Sequence, residues 1–118
     1  DIPERITRRV WRAQTYVAPS KASSIKGEFG EIPLFSITPD QPLGVHDFWA
    51  LQEDHYEGTP YDMVKSKAGL PFGNPDRQTE TLGTGWFDRP VDVWYAIYSY
   101  VAQSRSWLPA PLGGKVWI

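Results

Sequence analysis

The run Val91-Asp-Val-Trp-Tyr-Ala-Ile-Tyr-Ser-Tyr-Val-Ala-Gln103 decides the fold class. Trp94, Tyr95, Ile97, Tyr98, Tyr100 and Val101 favour extended backbone, and apolar character falls on both alternating faces. The segment is therefore predicted as a strand with layers on both sides. Lys115 to Ile118 predicts a final strand, and Leu108-Pro-Ala-Pro-Leu-Gly-Gly114 turns the chain between the two as an irregular hairpin.

Working upstream, residues 57–90 carry Gly58, Gly69, Gly73, Gly83 and Gly85 and four prolines, Asn74-Pro75 among the breakers. So long a stretch of weak regularity is a functional loop or one that needs outside support. Before it, Val45 to about Tyr56 predicts a helix, with Asp47 in the first turn where the helix dipole favours negative charge and Gly58 as its stop. Glu31 to Ile37 predicts a short strand or extended segment, and Ser20 to Gly30 a polar loop. At the start, Asp1-Ile-Pro-Glu4 has the spacing of a capped helix, and Ile6, Val10, Ala13 and Val17 form one apolar stripe that Pro19 ends. Two main helices and a few antiparallel strands make an α+β chain, read as a single unit over residues 1–118.

Composition narrows the function classes. A net charge of −2 supplies no field for nucleic acid or an anionic membrane surface. No cysteine is present, which excludes disulfides, thiolate metal sites and a cysteine nucleophile in this chain. No apolar run is long enough to span a bilayer. The chain reads as soluble; its compartment is open, with the cytoplasm favoured. Six Trp, six Tyr and five Phe point to aromatic packing beneath long loops.

Two clusters invite a chemical reading. His46, Asp47, Glu53, Asp54, His55 and Glu57 resemble a metal or acid–base set, but His46 and His55 are nine residues apart and fall on opposite helix faces, so no metal is expected. Arg5, Arg8, Arg9 and Arg12 crowd the first helix; a solvated face is the plain expectation, with one arginine able to turn inward to a carboxylate or oxyanion. No serine sits in a nucleophile-elbow turn, and Gly83-Thr84-Gly85 lacks the lysine of a phosphate loop.

The segments Val45-His-Asp-Phe-Trp-Ala-Leu-Gln-Glu-Asp-His-Tyr-Glu-Gly-Thr-Pro-Tyr-Asp-Met-Val-Lys65 and Gly69-Leu-Pro-Phe-Gly-Asn-Pro-Asp-Arg77 resemble blocks of the dipeptidase A-like cysteine dipeptidases, which belong to the N-terminal-nucleophile hydrolases. Ser99-Tyr-Val-Ala-Gln-Ser-Arg-Ser-Trp-Leu-Pro109 with Gly113-Gly114 is similar to a later block, and Arg8-Arg-Val-Trp-Arg12 to a helix of the same family. Val64 and Ser66 depart from the usual Thr and Gly, and residues 78–92 fit only loosely.

The resemblance implies a four-layer αββα sandwich, dipeptides as substrate, no cofactor, and a cysteine nucleophile at the mature N-terminus whose own amine is the base. Asp1 carries a carboxylate where that thiol belongs. The expectation is a middle to C-terminal fragment of a larger peptidase domain, inactive alone, partnered by the missing N-terminal part or by self-association through open strand edges.

Under the resemblance, Arg8, Arg9 and then Arg105 are candidates to stand beside the nucleophile. Asp54, His55, Tyr56, Glu57, Thr59 and Asn74 are candidates to order a substrate loop. The alternative is a non-catalytic peptide- or sugar-binding module, with Trp49, Trp86, Trp94, Trp107 or Trp117 as an aromatic platform.

Overall fold

The structure, a computed structural model, describes residues 4–25, 31, 33–66, 69, 71–75, 89–93 and 95–118, the side chains of 4–6 excepted. The expected cap at Asp1, residues 83–85, Trp86 and Trp94 lie outside the described residues. Among those described, four helices and one two-stranded antiparallel sheet make an α+β chain.

Helix α1 runs Glu4–Val17. Its last turn closes with the Ala18 amide donating to Gln14 O at 3.0 Å, and Pro19, which has no amide hydrogen to give, opens a 3₁₀ helix over Pro19–Ser24. That turn replaces the start of the expected polar loop. Asp40 holds it: the Asp40 carboxylate accepts from the Ser20 amide at 2.8 Å and the Ser20 hydroxyl at 2.6 Å, while the Asp40 amide donates to Val17 O.

The segment expected to be extended from Glu31 to Ile37 carries no strand among its described residues. Its polar groups bond sideways to α1 and the 3₁₀ turn instead of to a neighbouring strand: Gln14 Nε2 donates to Leu34 O, and Lys21 Nζ to Thr38 O a little further on.

Helix α2 spans Val45–Gln52, with the Gly44 amide donating to Asp47 Oδ2 at 2.7 Å, as a first-turn acid should accept. It stops four residues before the expected Tyr56. Asp54 and Tyr56 are committed to tertiary bonds described below, and Tyr56 adopts a φ of 67°, which no helix tolerates. Gly58, at φ 73°, turns the following loop rather than ending the helix.

Strand β1 is Val101–Ser104 and β2 is Gly114–Trp117, paired antiparallel from Val101 opposite Trp117 to Ser104 opposite Gly114. A short helix α3, Ala110–Gly113, lies in the connection. The long strand expected over 91–103 is thus confined to its last residues. Val91 and Asp92 both give their amides to Asp54 O, and Ala96 turns back on Val93 O at 2.8 Å, so the chain there is bent onto the loop. The layers that two-faced strand needs are not supplied either: Ile97 is 94% and Tyr98 72% exposed.

The core is small. Tyr56 is fully buried with Met63, flanked by Trp11 and Tyr61, and Val101, Ile25 and Ala18 are buried elsewhere. The Cα radius of gyration, 16.4 Å, exceeds the roughly 13.5 Å of a compact chain of this length.

Candidate functional site

Of the side chains that sequence reasoning singled out, Asp54, His55, Tyr56, Glu57 and Thr59 lie together at the exit of α2. There Asp54 is a junction. Arg12 of α1 forks onto its carboxylate, with Nε 2.8 Å from each oxygen and an Nη2 bond to Oδ2. Asp54 Oδ1 also accepts from the Tyr56 amide at 2.9 Å, and its carbonyl accepts from the Val91 and Asp92 amides at 3.1 and 3.2 Å. The Asp54 side chain is 5% and the Arg12 side chain 16% exposed, so the pair is screened little by solvent. The hydrogen bond to Asp54 raises the Arg12 guanidinium above its ordinary pKa and fixes its charge.

This pair presents a strained turn. Tyr56 is a bulky residue held at positive φ, a conformation that costs on the order of 1–3 kcal/mol and persists only where its surroundings enforce it. Here the enforcement comes from both ends: the amide bonds the Asp54 carboxylate, and the phenol hydroxyl donates to Arg89 O. Thr59 completes the turn, its amide and hydroxyl both donating to Tyr56 O while its oxygen accepts from the Tyr61 amide.

His55 is thereby set between two carboxylates. Nδ1 lies 3.1 Å from Glu57 Oε1 and Nε2 3.7 Å from Asp92 Oδ2, and the His55 amide donates to Glu57 Oε2 at 2.7 Å. The ring therefore lies between the opening of the glycine-rich loop and the 91–92 segment that follows it. Among the described residues no three His, Cys, Asp or Glu side chains form a group placed to hold a metal ion.

The arginines separate. Arg8 is buried, its guanidinium 3.4 Å from the Tyr61 ring centroid, while Trp11 meets that ring edge-on at 5.2 Å. The expected solvated face is therefore wrong for Arg8 and Arg12, because an aromatic face and a carboxylate draw both cations inward. The apolar stripe instead opens outward: Val10, Ala13 and Val17 line a groove of about 590 Å³ with Phe35, Phe48 and Leu51. Arg9 lies on this groove. Arg105 belongs to the hairpin, donating from Nη2 to Leu112 O at 2.6 Å and from its amide to Gly113 O. Asn74 is exposed in the turn after Gly69, to whose carbonyl its amide donates.

Sequence reasoning passed over Asp62, Arg89 and Asp92, which do as much as the named residues. Asp62 had a readable signal: it precedes a turn, and its oxygens take the Val64 amide at 3.1 Å and Lys65 Nζ at 2.8 Å. That bond to Lys65 holds the Asp62 carboxyl below its ordinary pKa. The Ser20 hydroxyl, joined by the Ser20 amide, does the same for Asp40. A carboxyl whose folded pKa is depressed stabilises the fold above its unfolded value, near ~3.9, and that contribution is lost as pH falls through the folded value. The urea midpoint is thus expected to be flat near neutrality and to fall below about pH 4, and Asp62→Asn should flatten part of that fall. An unchanged acid profile in this variant removes Asp62 from the account.

A buried guanidinium–carboxylate pair and a strained aromatic turn thus hold the exit of α2 on an α+β scaffold. The model of peptidase family C69 matches residues 5–118, and the chain belongs to that family. No curated protein and no solved structure matches it. Membership gives the chain a peptidase role and agrees with the dipeptidase resemblance of its motif blocks. Among the described residues, no helix is long and apolar enough to cross a membrane.

Proposed function

We propose that the chain is part of a dipeptidase that hydrolyses the peptide bond of dipeptides through an N-terminal cysteine nucleophile lying outside this sequence. The observation that carries the reading is the family match over residues 5–118 in a chain with no cysteine. A thiol is a strong nucleophile, and a terminal amine of pKa near ~8 can take its proton. This chain contributes the loop that receives substrate, with Asp54, Tyr56 and Thr59 holding its shape and His55 and Glu57 at its mouth. Arg8 packs on Tyr61 of that loop, and Arg105 serves the hairpin.

The parent fold is an αββα sandwich in this reading, and the remainder of the peptidase packs on the groove beside Phe35. Phe35, at 105% exposure, is an apolar side chain of the sort that such a layer covers. The binding-module reading has less support, since no indole lines the groove among the described residues.

The full-length protein should hydrolyse dipeptides and lose this activity on thiol alkylation, whereas the 118-residue chain should show no turnover above background. Turnover that survives alkylation would overturn the cysteine mechanism.

A further inference from the structure

A second cleft, of about 420 Å³, lies between the end of α2 and residues 96–100. Gln52, Asp92, Ala96, Tyr98, Ser99 and Tyr100 line it. Its chemistry is one-sided. Asp92 is the only charged residue in the lining among the described residues, and its side chain is 38% exposed, with His55 Nε2 3.7 Å from Oδ2. Gln52 donates its Nε2 to Tyr100 O at 3.2 Å, which turns its Oε1 away from that bond. This oxygen is shielded from solvent and accepts no hydrogen bond among the described residues. A shielded acceptor left without a donor is costly, by about as much as a hydrogen bond lost. The wall is aromatic, with the Tyr98 and Tyr100 rings 6.3 Å apart and inclined by 28°.

A carboxylate, an unsatisfied amide oxygen and π faces all call for one partner, a small cation with several N–H donors. We propose that this cleft is the subsite for the protonated α-amino group of a dipeptide, with the Asp92 carboxylate as counter-ion and Gln52 Oε1 as hydrogen-bond acceptor. The proposal rests on the dipeptidase reading, which supplies the substrate class, and adds how a free amino terminus is recognised.

A primary ammonium offers three donors in a tetrahedral fan, enough to serve Asp92 and Gln52 and still meet a tyrosine face. The cleft volume suits a ligand of one or two residues. Ile97, Tyr98 and Ser99 make no backbone-to-backbone hydrogen bond among the described residues, so their backbone groups can pair with the substrate's own amide. The position also explains the junction at Asp54, because its carbonyl holds the Val91 and Asp92 amides and so sets where the Asp92 carboxylate stands.

The test is run on the full-length protein with two non-substrate probes, L-alaninamide and N-acetyl-L-alaninamide, titrated by NMR, and in parallel with a dipeptide and its N-acetyl form as substrates. The amine probe should bind at least about tenfold more tightly than the acetylated one. Asp92→Asn should weaken the amine probe by about that factor and leave the acetylated probe unchanged, while Asp92→Glu restores part of the difference. With the dipeptide the same loss should fall on KM rather than kcat.

Equal binding of the two probes by the wild-type protein overturns the proposal without recourse to any variant, and so does an amine preference that Asp92→Asn leaves intact. A protein that binds the amine probe through Asp92 and hydrolyses no dipeptide keeps the subsite and sinks the dipeptidase reading, so the two failures are distinguishable.

Discussion

Replacing Gly69 with Ala is expected to destabilise the protein by about 3 kcal/mol and to lower its melting temperature by roughly 10 °C. A Cβ at this position would stand 2.5 Å from Val64 O and 2.7 Å from Met63 O, with Val64 C at 3.0 Å. These are backbone atoms, which cannot rotate aside as a side-chain tip can. Relief would require moving residues 63–64, where Met63 belongs to the core with Tyr56 and donates its amide to His55 O. Gly69 is also a turn centre, since its carbonyl accepts from the Gly73 and Asn74 amides and its own amide donates to Ser66 O.

Gly58→Ala is the internal control. Gly58 has a φ of 73°, and a methyl group added there would meet nothing within 4 Å, so the change should cost only about 1 kcal/mol, the left-handed penalty of an L-residue. Urea denaturation of both variants measures the contrast. A Gly69→Ala protein within about 1 kcal/mol of wild type would mean that this loop yields, and the close approach would then say nothing about stability.

The second large effect belongs to Arg12 and Asp54. Removing either partner leaves a poorly solvated charge behind, and loss of one member of such a pair costs about 3 kcal/mol. Asp54→Ala also strips the acceptor from the Tyr56 amide, so the strained turn should open as well as the helix contact. Arg12→Lys keeps the charge without the planar fork and should recover only part of the loss.

The double variant decides what the pair does. Because both deletions remove the same interaction, Arg12→Ala with Asp54→Ala should cost less than the two added together by about 1 kcal/mol or more. Hydrogen exchange offers a local reading: in Asp54→Ala the Tyr56 amide loses its side-chain acceptor, and the Val91 and Asp92 amides, bonded to the backbone carbonyl that alanine keeps, should lose protection with it because the turn carrying that carbonyl opens. Additive costs, or protection lost at Tyr56 alone, would show that α1 and the loop are held by Trp11, Tyr61 and Met63 rather than by the ion pair.

Helices α1 and α2 were legible because their signals are local. Pro19 stops α1 wherever the chain goes, and Asp47 caps α2 through an amide three residues away. The final hairpin was legible for the same reason, as the Pro- and Gly-rich residues 108–114 turn the chain between the 91–103 run and Lys115–Ile118. The loop residues Asp54, His55, Tyr56, Glu57 and Thr59 stand together because they are neighbours in sequence, and the structure adds what holds them.

What sequence alone determined is therefore the α+β class, the positions of α1, α2 and the hairpin, the likeness to a peptidase family and the want of a thiol. Those follow from period, capping, turn chemistry and a count of atoms. Tertiary structure decided the rest. Whether Arg12 faces water or Asp54 depends on a partner 42 residues away, and no helical period encodes that. The strand expected over 91–103 is limited to Val101–Ser104 among the described residues for the same reason: β-propensity expresses a preference for a paired, half-buried surface, and only the last residues of the run find a strand to pair with.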